Sequence, residues 1–162
     1  MKNKSILPIL IGPTASGKTR LAALVASYYN AEIISADSRQ VYRGMDLGTG
    51  KDYEDYIVNQ KQIPYHLIDI LPAGAKYNLY EFQQDFFEIY TKLHSRNVLP
   101  IVCGGTGMYV ESIIKNYNLL QVPEDIEFRK LCETKKMDEL IEELSLIKNT
   151  HNVSDFDSRK RI

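Results

Sequence analysis

Gly12, Pro13, Thr14, Ala15, Ser16, Gly17, Lys18 and Thr19 follow the pattern G-x-x-x-x-G-K-[ST], the spacing at which a chain wraps a di- or triphosphate. The glycines let successive backbone N–H groups curl around an anionic oxygen at a helix N-terminus. Lys18 reaches the outer phosphate, and the Thr19 hydroxyl is a ligand for Mg²⁺. The alternative, a glycine-rich turn with no ligand, would not require a lysine beside a threonine. A second segment, Asp37-Ser38-Arg39-Gln40-Val41-Tyr42-Arg43-Gly44, places a carboxylate and an arginine just after the next apolar run.

These residues need a frame. Ser5 to Ile11 is a short apolar run suited to a buried parallel strand, and Thr19 to Tyr29 reads as a helix, giving the strand, loop, helix order the motif requires. Further strands are expected at Glu32–Ala36, Tyr65–Ile70 and Val98–Cys103. Leu79, Phe82, Phe86, Tyr90 and Leu93 recur at helical spacing, with Asn78 and Glu81 as an N-terminal cap. Gly104-Gly105-Thr106-Gly107 leads into another helix that ends near Ile114. Strands alternating with helices imply an α/β fold, a parallel sheet flanked by helices as in P-loop NTPases. In such sheets ligands sit beyond the carboxyl ends of the strands, where the phosphate loop, Asp37, Asp69 and the Gly104–Gly107 turn all fall. The polar stretch from Asp52 to Gln62 reads as a surface excursion.

From Asn116 onward strands stop. Pro123 opens a charged helix containing Arg129, and Met137, Leu140, Ile141 and Leu144 mark another amphipathic helix. The expected organisation is a P-loop core over residues 1–115 and the beginning of a helical module over 116–162. Asp157 to Ile162 reads as a helix start without an end, so the chain is expected to be a truncated form.

Composition excludes several classes. Twenty basic residues against 21 acidic leave a net charge of −1, far from a globally basic nucleic-acid binder, so any RNA contact must come from a local patch. Hydrophobic content of 44% and charged content of 25% are ordinary for a soluble domain. No apolar run has the length of a membrane span, and Lys2 and Lys4 precede a stretch too short, and broken by Pro8, to be a signal peptide, so a cytoplasmic location is expected. Cys103 and Cys132 lack metal-ligand spacing and are expected to be reduced and structural.

Together the phosphate loop, Ser35 to Thr49 with its Asp-Ser-Arg-Gln block, His66-Leu67-Ile68-Asp69 and Gly104 to Tyr109 resemble the tRNA dimethylallyltransferases, also called tRNA isopentenyltransferases. The resemblance runs through nearly the whole chain in order. It implies transfer of a dimethylallyl group from dimethylallyl diphosphate to the exocyclic amine of an adenine beside the tRNA anticodon, with Mg²⁺ as cofactor. It further implies that Asp37 takes the proton, that Thr19 binds the diphosphate, and that Ser38, Arg39 and Gln40 surround the adenine. Thr106, Arg129, Lys160 and Arg161 match positions that contact tRNA. The protein is expected to be nucleotide-binding, ATP included, and monomeric, with the anticodon stem-loop as partner and no membrane contact. The residues suit this chemistry by themselves: charge grows on the departing pyrophosphate where Lys18 and the loop N–H groups are aimed. An adenine amine loses its proton only as the new bond forms, which calls for a carboxylate opposite the phosphates.

Duller roles compete. Asp37 could ligate magnesium or cap a helix, Arg39 and Arg43 could be solvated surface charges, and Thr106 could serve only its turn. His66 is given no role, and Asp69 is ambiguous. Gly48-Thr49-Gly50-Lys51 and Asp52 to Gln62 depart from the family's usual pattern, in segments expected to lie away from the chemistry. The family normally continues with the rest of a helical module and a diphosphate-holding arginine, so this chain is expected to be weak or inactive on tRNA. The rival functions are an adenylate isopentenyltransferase acting on free nucleotides, a P-loop small-molecule kinase, and a non-catalytic nucleotide-binding remnant.

Overall fold

The computed structural model describes residues 6–121, 123 and 125–147, so Lys160 and Arg161 lie outside the described residues, as does the helix start expected at 157–162. The chain divides into two units, Met1–Leu120 and Gln121–Ile162. The first is an α/β unit around a parallel sheet.

Strands β1 (Ile9–Ile11), β2 (Glu32–Ser35), β6 (Tyr65–His66) and β8 (Pro100–Gly104) form that sheet in the order β1-β8-β2-β6. All three pairings are parallel, with Ile9 opposite Val102 and Ile33 opposite Ile101. Short pairs β3 (Tyr42–Arg43) with β7 (Leu71–Pro72), and β4 (Ile57–Val58) with β5 (Lys61–Gln62), lie outside it. Because side chains alternate across a strand, β2 and β8 supply two cores at once. Ile33, Ile101 and Cys103 face helix α1 (Lys18–Tyr29), whose Ala22, Ala23 and Ala26 are small enough for close helix–sheet approach. Ile34 and Val102 face α2 (Leu79–Ser95) and α3 (Gly107–Ile114), packed beneath Phe82, Phe86, Leu93 and Val110. The Phe82 and Tyr109 rings stack with centroids 3.9 Å apart, locking α2 to α3. Asn78 and Glu81 form the expected capping box at the start of α2.

Two expectations change. The third strand was expected to run from Tyr65 to Ile70 and stops at His66. Leu67 and Asp69 both adopt left-handed backbone, at φ 62° and 56°, which breaks the ladder and turns Asp69 toward Lys51. The stretch Asp52 to Gln62, expected as a surface excursion, instead contributes to the core. A 3₁₀ turn at Tyr53–Tyr56 and the β4–β5 hairpin bury Tyr56 and Val58 in the α1-side core, together with Ile63. The sequence hid this because tyrosines among charged residues carry no helix or strand period.

In the second unit, α4 (Ile126–Thr134) is capped by Asp125, which accepts the Phe128 N–H at 2.8 Å, and α5 (Met137–Ile147) buries Leu140. Among the described residues no helix is long and apolar enough to cross a membrane.

Candidate diphosphate and proton-transfer site

The phosphate loop leaves β1 and enters α1 through Ala15 at φ 60° and Gly17 at φ 77°, a conformation that any side chain at 17 would strain. The N-terminus of α1 has no side-chain cap, whereas α2 is closed by Asn78, so the α1 N–H groups stay available to an anion. Lys18 folds over its own loop. Its ammonium donates to the Pro13 carbonyl and, at 3.3 Å, to the Ser16 hydroxyl, contacts that a phosphate oxygen can replace.

Across from the loop, β2 and β8 end side by side. The Ala36 N–H donates to the Cys103 carbonyl at 2.8 Å and the Thr106 N–H to the Ala36 carbonyl at 3.1 Å. Gly104 allows this crossing, since a Cβ there would sit 2.3 Å from the Ala36 carbonyl. Asp37 follows directly. Its Oδ1 accepts the Arg39 N–H at 3.0 Å, and Oδ2 has no hydrogen-bond partner among the described residues. Thr106 accepts the Ser38 N–H at 3.0 Å and lies 3.3 Å from the Ser38 hydroxyl, so it ties the Asp37 turn to α3. Arg39 is half exposed and engaged: it donates to Thr14 Oγ1 at 3.2 Å and approaches the Gly48 carbonyl at 3.5 Å, bridging the phosphate loop to the segment opposite. Arg43 is likewise tied down, donating to the Asp69 and Ile70 carbonyls at 2.7 and 3.2 Å.

A cavity of about 330 Å³ lies between these parts. Thr14 to Thr19 form one wall, Asp37, Cys103 and Gly104 the floor, and Thr49, Gly50, Asp52, Asp55 and Tyr56 the second wall. The last group shows that parts of the two segments expected to lie away from the chemistry, Thr49 and Gly50 of one and Asp52, Asp55 and Tyr56 of the other, border the same cavity as the phosphate loop and Asp37. Gln40 also borders the cavity, but its amide is committed inside the protein: Oε1 accepts the Ser35 hydroxyl at 2.9 Å and Nε2 donates to the Gly50 carbonyl at 3.0 Å. Arg129 belongs to α4 of the second unit.

Burial sets the electrostatics of the floor. It pushes the Cys103 thiol up to about 11, with Lys18 pulling down and Asp37 pushing up. The Tyr56 hydroxyl is raised chiefly by burial, offset in part by its hydrogen bond with the Thr19 hydroxyl. Below the second wall sits Lys51, whose side chain is wholly buried. Its ammonium meets the Tyr42 carbonyl, Asp69 Oδ1 at 2.6 Å and Asp46 Oδ1 at 3.3 Å. Burial pushes the Asp69 carboxyl up, but hydrogen bonds from Lys51 and Tyr53 and the charges of Lys51 and Arg43 outweigh it, leaving a net lowering. His66 has a structural partner, Glu32, at 2.8 Å, and Arg96 holds the other Glu32 oxygen at 2.8 Å.

Comparison with known proteins gives a consistent picture. The family model described as IPP transferase matches residues 40–162. The chain is 55% identical over 152 residues to tRNA dimethylallyltransferase 2 of Bacteroides fragilis, covering 94% of this chain and 50% of that one. It is 54% identical over 161 residues to tRNA dimethylallyltransferase 1 of Parabacteroides distasonis, covering 99% and 52%. Among solved structures, the full-length tRNA isopentenylpyrophosphate transferase of Bacillus halodurans superposes with a TM-score of 0.67 at 37% identity, over 90% of this chain and 48% of that one. The chain thus spans about half the length of the curated relatives it matches.

Proposed function

The chain belongs to the IPP transferase family, and from that premise we propose that its cavity serves prenyl transfer to tRNA: dimethylallyl diphosphate alkylates the exocyclic amine of an adenine beside the anticodon. The observation that carries this reading is the placement of Asp37 on the same cavity as the phosphate loop. A phosphate loop alone would serve phosphoryl transfer equally well. A carboxylate with one oxygen fixed by Arg39 and the other open is suited to receive a proton as an amine is alkylated.

In the proposed reaction the allylic C–O bond breaks and its electron pair departs with the diphosphate. The loop N–H groups and Lys18 stabilise that growing charge. The adenine nitrogen forms the new C–N bond and its proton passes to Asp37 Oδ2. The adenine leaves its stack to reach the cavity, as bases do when an enzyme works on them. Ser38 and Arg39, which follow Asp37 in the chain, are proposed to meet it, with Thr106 bonded to Ser38 and Gln40 tied to Gly50 in the cavity wall. Among the described residues no group of three or more His, Cys, Asp or Glu side chains converges to hold a metal by itself, so the Thr19 hydroxyl at the phosphate loop is the donor this chain offers Mg²⁺, an oxygen ligand of the kind the ion prefers, with the diphosphate oxygens completing the set. Thr19 would hold the ion, which supplies charge neutralisation at the leaving diphosphate. We assign residues 116–162 to the beginning of a tRNA-binding helical module, with Arg129, Lys160 and Arg161 as its RNA contacts. One chain supplies both loop and base, so the proposed site needs no second subunit, and we propose a monomer acting in the cytoplasm.

The test offers the whole gene product labelled dimethylallyl diphosphate with unmodified tRNA, AMP or ATP. Prenyl label on tRNA adenine is expected. Label on AMP or ATP instead would identify a free-nucleotide isopentenyltransferase, and phosphoryl transfer from ATP without prenylation would identify a kinase.

A further inference from the structure

Lys51 is a wholly buried ammonium in a unit whose proposed chemistry makes no use of it. Its three donors converge on three separate pieces of chain: the Tyr42 carbonyl in β3, Asp46 in the following turn, and Asp69 in the turn after β6. Asp69 is presented by left-handed backbone at Leu67 and at Asp69 itself, and its Oδ2 takes the Tyr53 hydroxyl at 2.5 Å. Tyr53 begins the 3₁₀ turn that carries Asp55 and Tyr56 into the cavity wall. On the other flank of Lys51, Gly50 accepts from Gln40, Gly48 meets Arg39, and a Cβ on Gly50 would lie 3.8 Å from the Thr14 methyl. The segment from Tyr42 to Tyr56 is therefore held from beneath at one point and pressed against the phosphate loop on its other side.

Stability alone does not account for an ammonium here. Replacing a buried ion pair by apolar groups of similar volume is often neutral or stabilising. What an ammonium adds is direction, since each donor must point at its acceptor. We propose that Lys51 is a positioning residue for diphosphate binding: by tying Tyr42, Asp46 and Asp69 together it fixes Thr49, Gly50, Asp52, Asp55 and Tyr56 as the second wall of the phosphate cavity. This rests on the reading of the cavity as a diphosphate site.

The test measures binding of labelled inorganic pyrophosphate, with Mg²⁺, by equilibrium dialysis on the whole gene product. Wild type is expected to bind, and a wild type that does not bind contradicts the diphosphate reading itself. With binding established, Lys51→Met is expected to raise the pyrophosphate Kd about tenfold or more, because small misplacements of a binding wall carry large penalties. Ile113→Val, a core change on the buried face of α3 and not in the cavity lining, lowers Tm and leaves Kd unchanged. A folded Lys51→Met protein with the wild-type Kd overturns the proposal. Should Lys51→Met fail to fold, Asp69→Asn decides: a Kd raised about threefold or more supports the positioning role, and an unchanged Kd overturns it.

Discussion

At the scale of single residues the proposed reaction turns on Asp37, whose two carboxylate oxygens are not equivalent: one is fixed by the Arg39 N–H, the other open. Asp37→Asn keeps the acceptor for that N–H and removes the proton acceptor. In the prenylating protein it is expected to lower kcat by about 10²- to 10⁴-fold with KM for dimethylallyl diphosphate unchanged, as steady-state kinetics would read. Cys103, on the cavity floor, gives a second prediction. With its pKa at about 11 it holds little thiolate at pH 7.5, so N-ethylmaleimide should label Cys132 well before Cys103, followed by peptide mass spectrometry. Rapid labelling of Cys103 would mean that the floor is open to solvent. The sequence displayed Lys18, Thr19 and Asp37 because motif residues keep fixed spacing. It did not display the buried settings of Lys51 and Tyr56, which depend on partners brought in from distant turns.

The elements were legible where hydrophobic period was strong. The Pro-Ile-Val-Cys run of β8 and the spacing of Phe82, Phe86 and Leu93 in α2 announced themselves, and Asn78 with Glu81 fixed where α2 begins. The end of β6 was illegible, since no periodicity marks the left-handed backbone at Leu67 and Asp69. Gly104 is the sharpest element-level test. An alanine Cβ would press on the Ala36 backbone at 2.3 Å, where neither strand can yield. Gly104→Ala is expected to destabilise the unit by about 3 kcal/mol in urea unfolding, whereas Gly107, which has no heavy atom within 4 Å of its Cβ position, should tolerate alanine far better. Asp69 predicts a pH effect. Its folded-state pKa lies below the ordinary carboxylate value, so its contribution is present above about pH 4 and fades as pH falls toward the lowered value. Asp69→Asn should therefore lose more stability relative to wild type at pH 6 than at pH 3 in thermal melts, and an equal loss at both would contradict the ion pair.

At the scale of the whole molecule, the fold brings two short segments, far apart in sequence from the Cys103–Gly104 strand end, onto one cavity at the carboxyl ends of a parallel sheet. The α/β class was readable from alternating strands and helices, and the change of texture near Asn116 precedes the observed division at Leu120. What a linear reading missed is that Asp52 to Tyr56 closes the cavity, because a pocket wall has no signature in periodicity. The central claim is that the phosphate loop grips a leaving pyrophosphate and does not hand on a phosphoryl group. Dimethylallyl diphosphate carrying radiophosphorus, incubated with the whole gene product and unmodified tRNA, tests it most directly. All released label is expected to appear as intact inorganic pyrophosphate, one for each prenylated adenine; label arriving on an acceptor as a single phosphate would contradict it.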